Sequence, residues 1–215
     1  MRSPAPVALL LLLTSPAGAA TLVVDTLGDD DGACGPANCS LREAIKDADP
    51  GDTIVFDFSA LPPGEPIIVL EDPLPEIDVN NLTIDGYDCT GCGAVQESTT
   101  LAADGFDLAI GPTIDGSNLP IAPDSDLLVI AASGVTLRGL NLQSAGDAGL
   151  HFTNNGDDAL VEGCLIGTDR AGLVAAANQG GGVVIVGADD VTIGPFNVIS
   201  GNGLAGIRVD PGTGD

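Results

Sequence analysis

Residues 128–163 contain Leu128-Val129-Ile130, Val135-Thr136-Leu137-Arg138-Gly139, Leu150-His151-Phe152 and Ala159-Leu160-Val161-Glu162-Gly163. Two kinds of short apolar-alternating segment follow one another and then repeat. The first kind returns as Leu82-Thr83-Ile84-Asp85-Gly86 and Val191-Thr192-Ile193-Gly194, the second as Val183-Val184-Ile185 and Ile207-Arg208-Val209. From Val135 onward the first series steps by 24 and 32 residues, and the second by 22, 33 and 24. Both lengthen at the same place, so one insertion, GTDRAGLVAAANQGGG between Ile166 and Val183, accounts for both.

The basic unit is therefore a coil of 22 to 24 residues, long enough for two or three strands joined by Gly, Asn and Asp turns such as Asn155-Gly156 and Ser200-Gly201-Asn202. Alternation sends Val135, Leu137, Ala159, Val161, Val191 and Ile193 to one side, with Leu128, Ile130, Leu150, Phe152, Ile207 and Val209 doing the same in the second series. Stacking such coils about 4.8 Å apart pairs each strand in parallel with its counterpart above and below. The expected fold is all-β, a right-handed parallel β-helix, the handedness following from the general preference of parallel crossovers. An antiparallel sandwich also has short alternating strands, but it does not predict two series that keep phase through an insertion.

A solenoid needs its ends covered. Ser40 followed by Glu43 is a capping box, and Leu41, Ala44, Ile45 and Ala48 share a helical face, so a short amphipathic helix is expected as the N-terminal lid. Pro50-Gly51-Asp52 stops it, Thr53 to Phe56 begins the first strand, and Thr21 to Asp25 reads as an edge strand. At the other end Ile207-Arg208-Val209 runs into the turn residues Asp210 to Asp215 with no covering helix, so the solenoid is expected to be incomplete, with further coils or an anchor domain downstream.

Residues 1–19 have the layout of a secretory leader: Arg2, the apolar run Val7 to Leu13, then small residues ending at Ala19. The run is far shorter than the ~20 residues a membrane span needs. The remaining residues suit one folded unit, divided here into 20–58 (edge strand and cap helix) and 59–215 (coils). Six Lys and Arg stand against 31 Asp and Glu, a formal charge of −25, which argues against nucleic-acid partners and anionic membranes. Thirty glycines, 3% aromatics and no Trp suit short strands with tight turns.

Residues 22–57, with Leu22-Val23-Val24-Asp25-Thr26, an Asp-rich loop, Cys34, Cys39-Ser40-Leu41-Arg42-Glu43-Ala44-Ile45 and Gly51-Asp52-Thr53-Ile54, resemble the N-terminal module of bacterial exported proteins named for the CSLREA motif. Leu165-Ile166-Gly167-Thr168-Asp169 and Asn197-Val198-Ile199-Ser200-Gly201-Asn202 resemble the parallel β-helix repeats, of pectin-lyase-like fold, that follow it there. The resemblance implies export to the extracellular space or outer cell surface. It leaves function open, since the fold serves adhesins and polysaccharide-cleaving enzymes alike.

Five cysteines in an exported chain are read first as disulfides, with Cys34–Cys39 and Cys89–Cys92 the simplest pairing; a zinc site is the rival, since two close pairs also suit that metal. Cys164, at the position Leu140 holds one coil earlier, is expected as a buried thiol. His151 is the sole histidine and should point outward, since Leu150 and Phe152 take the inside. Asp29, Asp30 and Asp31 are calcium candidates, although an acidic turn without a ligand explains them equally and the EF-hand spacing is absent. Asp157-Asp158 could serve a glycosidase, but the Gly-His-Gly and Arg-x-Lys elements that accompany such a pair in polygalacturonases have no match. Arg138, Arg170 and Arg208 are the arginines a lyase could use, with Arg138 expected beside Glu162 on the next coil. The sequence therefore identifies no catalytic set. It points to an adhesive or scaffold module whose partners would be extracellular glycans or surface proteins, the alternative being a polysaccharide lyase or glycoside hydrolase acting on acidic glycans.

Overall fold

The computed structural model describes residues 18–93 and 110–212. Residues 1–17 of the proposed leader (1–19) and the last three residues lie outside that range. Strand β1 (Thr21–Val24) leads to one helix, α1 (Leu41–Asp47), and then β2 (Thr53–Asp57), β3 (Ile67–Val69) and β4 (Thr83–Thr90). Next come β5 (Thr113–Asp115), β6 (Leu128–Ile130), β7 (Thr136–Arg138), β8 (Asn141–Gln143) and β9 (Leu150–Phe152). The chain continues through β10 (Leu160–Glu162), β11 (Leu165–Ile166), β12 (Val183–Val186), β13 (Thr192–Ile193), β14 (Val198–Ile199) and β15 (Ile207–Asp210).

These strands form three parallel sheets: β1-β2-β4-β7-β10-β13, β3-β5-β8-β11-β14, and β6-β9-β12-β15. From β6 onward the chain visits the three sheets in strict rotation. Sheet neighbours come from successive passes rather than from hairpins, with Leu137 registered between Ile84 and Val161, and His151 between Val129 and Val184. The first sequence series is the six-stranded sheet and the second the four-stranded one. The five-stranded sheet fell outside both, because its strands are two or three residues long and carry Thr113, Asn141 and Gln143 instead of clean alternation.

The facing apolar residues make one core. Leu128, Ile130, Leu150, Phe152 and Val161 are fully buried, each burial contributing about 1.5–3 kcal/mol. Alternation did not suffice for the last strand: Ile207 and Val209 are 47% and 68% exposed. Inward residues of such a stack are shielded by the passes on both sides, and β15 has a described neighbour on one side only. Val191 and Ile193 are half-buried for the same reason.

At the other end α1 lies against β1, which pairs in parallel with β2 as the edge strand. The capping box is formed: Ser40 Oγ accepts from Glu43 N at 3.1 Å, and Glu43 Oε2 accepts from Ser40 N at 2.8 Å. Leu41, Ala44, Ile45 and Ala48 are buried, as their spacing requires.

Asparagines close the corners where short strands leave backbone groups unpaired. Asn178, fully buried, accepts from Ala145 N at 2.9 Å and donates to Leu142 O and Asn202 Oδ1. Asn197 accepts from Cys164 N at 2.8 Å and donates to Val161 O. The insertion at 167–182 is a loop between β11 and β12, its tip exposing Leu173 and Val174.

Candidate functional site

The outer face of the four-stranded sheet carries Val129, His151, Val184 and Arg208 in one registered row. His151 faces outward there, as the alternation requires. Its Nδ1 lies 2.8 Å from Asp126 Oδ2, and Asp126 Oδ1 accepts from Ala148 N at 2.8 Å. The Asp126 side chain is only 3% exposed, so one carboxylate ties the turn before β9 to the imidazole.

The hydrogen bond to Asp126 raises the imidazole pKa above 6.5; burial and the Arg208 charge oppose this, while the charges of Asp126 and Asp147 add to it. Burial pushes the Asp147 carboxyl up, helped by Asp126. Above the row lies a cleft of about 740 Å³ lined by His151, Thr153, Asn154, Val186, Asp189 and Val209 among others. A histidine held by a carboxylate can move a proton. Nucleophilic catalysis needs more, and the one hydroxyl in this lining, Thr153 Oγ1, donates to Ile130 O at 3.3 Å.

The residues singled out in the sequence do not converge on this cleft. Asp157 Oδ1 accepts from Asp189 N at 2.8 Å, and Asp158, at φ 54°, accepts from Ser133 Oγ, so the pair shapes a corner. Arg138 lies in register with Glu162 as expected, but its close partner is Asp85 on the other side, at 2.6 Å against 4.0 Å. Arg208 pairs with Asp210 at 3.0 Å. Arg170 donates to the carbonyls of Cys92 and Ile110.

Of the calcium candidates, Asp29 is buried against Arg42 through a two-bonded pair at 2.7 and 2.8 Å and also accepts from Glu71 N. The Asp30 carbonyl accepts from Ser40 Oγ, and Asp31 pairs with Lys46. The Asp29 and Asp31 carboxylates thus serve different cations, and the Asp30 contact is made by its backbone. Among the described residues no group of three or more His, Cys, Asp and Glu side chains is placed to hold a metal ion.

Cys34 is bonded to Cys39 and Cys89 to Cys92, with Cα separations of 4.3 and 5.6 Å. Cys164 is free and fully buried, and burial pushes its thiol up to about 12.

Asp126 and Asp147 escaped the sequence reading because each sits in a turn, where aspartate is common whatever its role. The signal was present in the 22-residue step that registers Leu128 with Leu150: it also sets Asp126 beside Ala148, three residues from His151.

No protein-family model matches the chain, and no curated protein does. Among solved structures, a crystal structure of a pectin methylesterase mutant in complex with a hexasaccharide aligns with 16% identity and a TM-score of 0.37, over 83% of this chain and 49% of that one. The chain thus spans about half the length of that protein.

Proposed function

We propose that this is an exported protein of the CSLREA-motif kind, a right-handed parallel β-helix acting at or beyond the cell surface as an adhesive or scaffold module without catalytic activity. One observation carries the non-catalytic reading: among the described residues no arginine or lysine both lacks a carboxylate partner and lines the cleft over His151. Arg42, Lys46, Arg138 and Arg208 pair with carboxylates and Arg170 with backbone carbonyls. An enzyme acting on acidic glycans needs uncommitted cations in a cleft to hold its anionic substrate, and the cleft over His151 is bordered instead by Asp189 and Asp210.

The rotation of the chain through three parallel sheets supports the β-helix. Two disulfides support an oxidising destination. No described helix is long and apolar enough to cross a membrane. The test has two arms. The full chain expressed with its leader should appear outside the cell beginning near Ala20. Incubated with pectate, alginate and related acidic polysaccharides, with and without calcium, it should yield no shortened or unsaturated products. A product ladder from any of them would establish the enzyme alternative, and a chain retained inside with residues 1–19 intact would overturn export.

A further inference from the structure

The two disulfides sit in opposite electrostatic surroundings. Around Cys34–Cys39, Asp47 Oδ2 accepts from Cys34 N at 2.7 Å and Asp25 Oδ1 from Cys39 N at 2.8 Å, so two carboxylates stand against the bridge. Cys89–Cys92 closes a Cys-Thr-Gly-Cys turn, and there the Arg170 guanidinium donates to the Cys92 carbonyl at 2.8 Å. That cation comes from the 167–182 loop and is half-buried, where its field is weakly screened; Glu65 is the carboxylate acting on it. Its Nη1 is buried without a hydrogen-bond partner among the described residues. The two sulfurs also differ: Cys92 is 6% exposed, whereas Cys89 is half-buried, with Asp88 before it in the chain and Asp57 on the strand beside it.

We propose that Cys89–Cys92 is a thiol–disulfide exchange site, with Arg170 as the positioning charge that stabilises the departing Cys92 thiolate. The co-reactant is a thiol, either a small molecule or a cysteine of another protein. Its thiolate attacks Cys89 Sγ, a mixed disulfide forms, the Cys89–Cys92 bond breaks, and the electron pair leaves on Cys92 Sγ, on the residue whose carbonyl the guanidinium holds. A second thiolate attacks the mixed disulfide at the sulfur of the first thiol and releases Cys89. Both cysteines are then reduced, and the two co-reactant thiols are oxidised to their own disulfide. Thiolates are favoured next to arginine and disfavoured next to carboxylates, and exchange is faster when the leaving thiol has the lower pKa. Opening this bridge loosens the turn whose Cys92 carbonyl, together with that of Ile110, holds Arg170 at the base of the loop presenting Leu173 and Val174.

The test is to incubate the folded protein with graded reduced glutathione, quench, label the released thiols and locate them by mass spectrometry, following sheet content by circular dichroism. Cys89 and Cys92 should be released on the order of tenfold faster than Cys34 and Cys39, with the sheet signal unchanged. R170Q should erase most of that difference and R170K should restore it. Equal release of both pairs, earlier release of Cys34–Cys39, or release only as the sheet signal falls would overturn the proposal, and this comparison needs no variant. A folded R170Q with wild-type rates would also overturn it.

Discussion

Arg138 and Asp85 face each other across adjacent strands, Nη2 to Oδ2 at 2.6 Å, with the Asp85 side chain 9% exposed. Asp85 also accepts from Tyr87 N at 3.1 Å, fixing the bulge in β4 where the register with β2 shifts. The same guanidinium reaches Glu162 at 4.0 Å on its other flank. R138M should therefore cost about 1–3 kcal/mol, because it leaves a nearly buried carboxylate without its cation, whereas E162Q should stay within about 0.5 kcal/mol. Urea denaturation of both variants checks this.

Tyr87, thrown out by that bulge, lies across Gly139 and Gly163, which occupy matching places at the ends of β7 and β10 with φ of 66° and 59°. A Cβ at Gly163 would run into the Tyr87 hydroxyl and also be forced into the left-handed region. G163A should cost about 2–3 kcal/mol in wild type but only about 1 kcal/mol when Y87A removes the ring. A double-mutant cycle by thermal unfolding measures the difference, and additivity would refute the clash.

His151 makes stability depend on pH. Its folded pKa is raised, so its contribution is fully present below the unfolded value of 6.5 and is lost as pH rises through the higher folded value. Because it is the sole histidine, its NMR titration is a single resolved curve. That curve should have a midpoint above 6.5. D126N should lower the midpoint, flatten the pH dependence of Tm between pH 6 and 8, and cost about 1–3 kcal/mol through the lost anchor on Ala148 N.

Cys164 should resist iodoacetamide at pH 8 in the folded protein and react once the chain is denatured, since its pKa of about 12 and full burial remove both thiolate and access. Peptide mapping without reductant should show Cys34 linked to Cys39, Cys89 to Cys92, and Cys164 free. Alkylation of Cys164 at the rate of an exposed thiol would contradict its placement.

The sequence by itself determined the parts governed by local periodicity. Alternation over Val135–Leu137 or Leu150–Phe152, repeated at a nearly constant step, was enough to place two sheets and align their strands, and Ser40 with Glu43 was enough to start α1. The tertiary structure decided whatever depends on which pass lies next to which. Glu162 and Asp85 both flank Arg138 in register, and only the packed side chains decide that Asp85 is the closer, at 2.6 Å against 4.0 Å. The alternation of Ile207 and Val209 matches that of Leu150 and Phe152, yet burial needs a neighbouring layer on each side, which no residue carries in its own identity. Asp126 with His151, and Arg170 with Cys92, join residues 25 and 78 positions apart. Their pairing comes from the stacking of coils and the path of a loop, and neither leaves a local pattern in the chain.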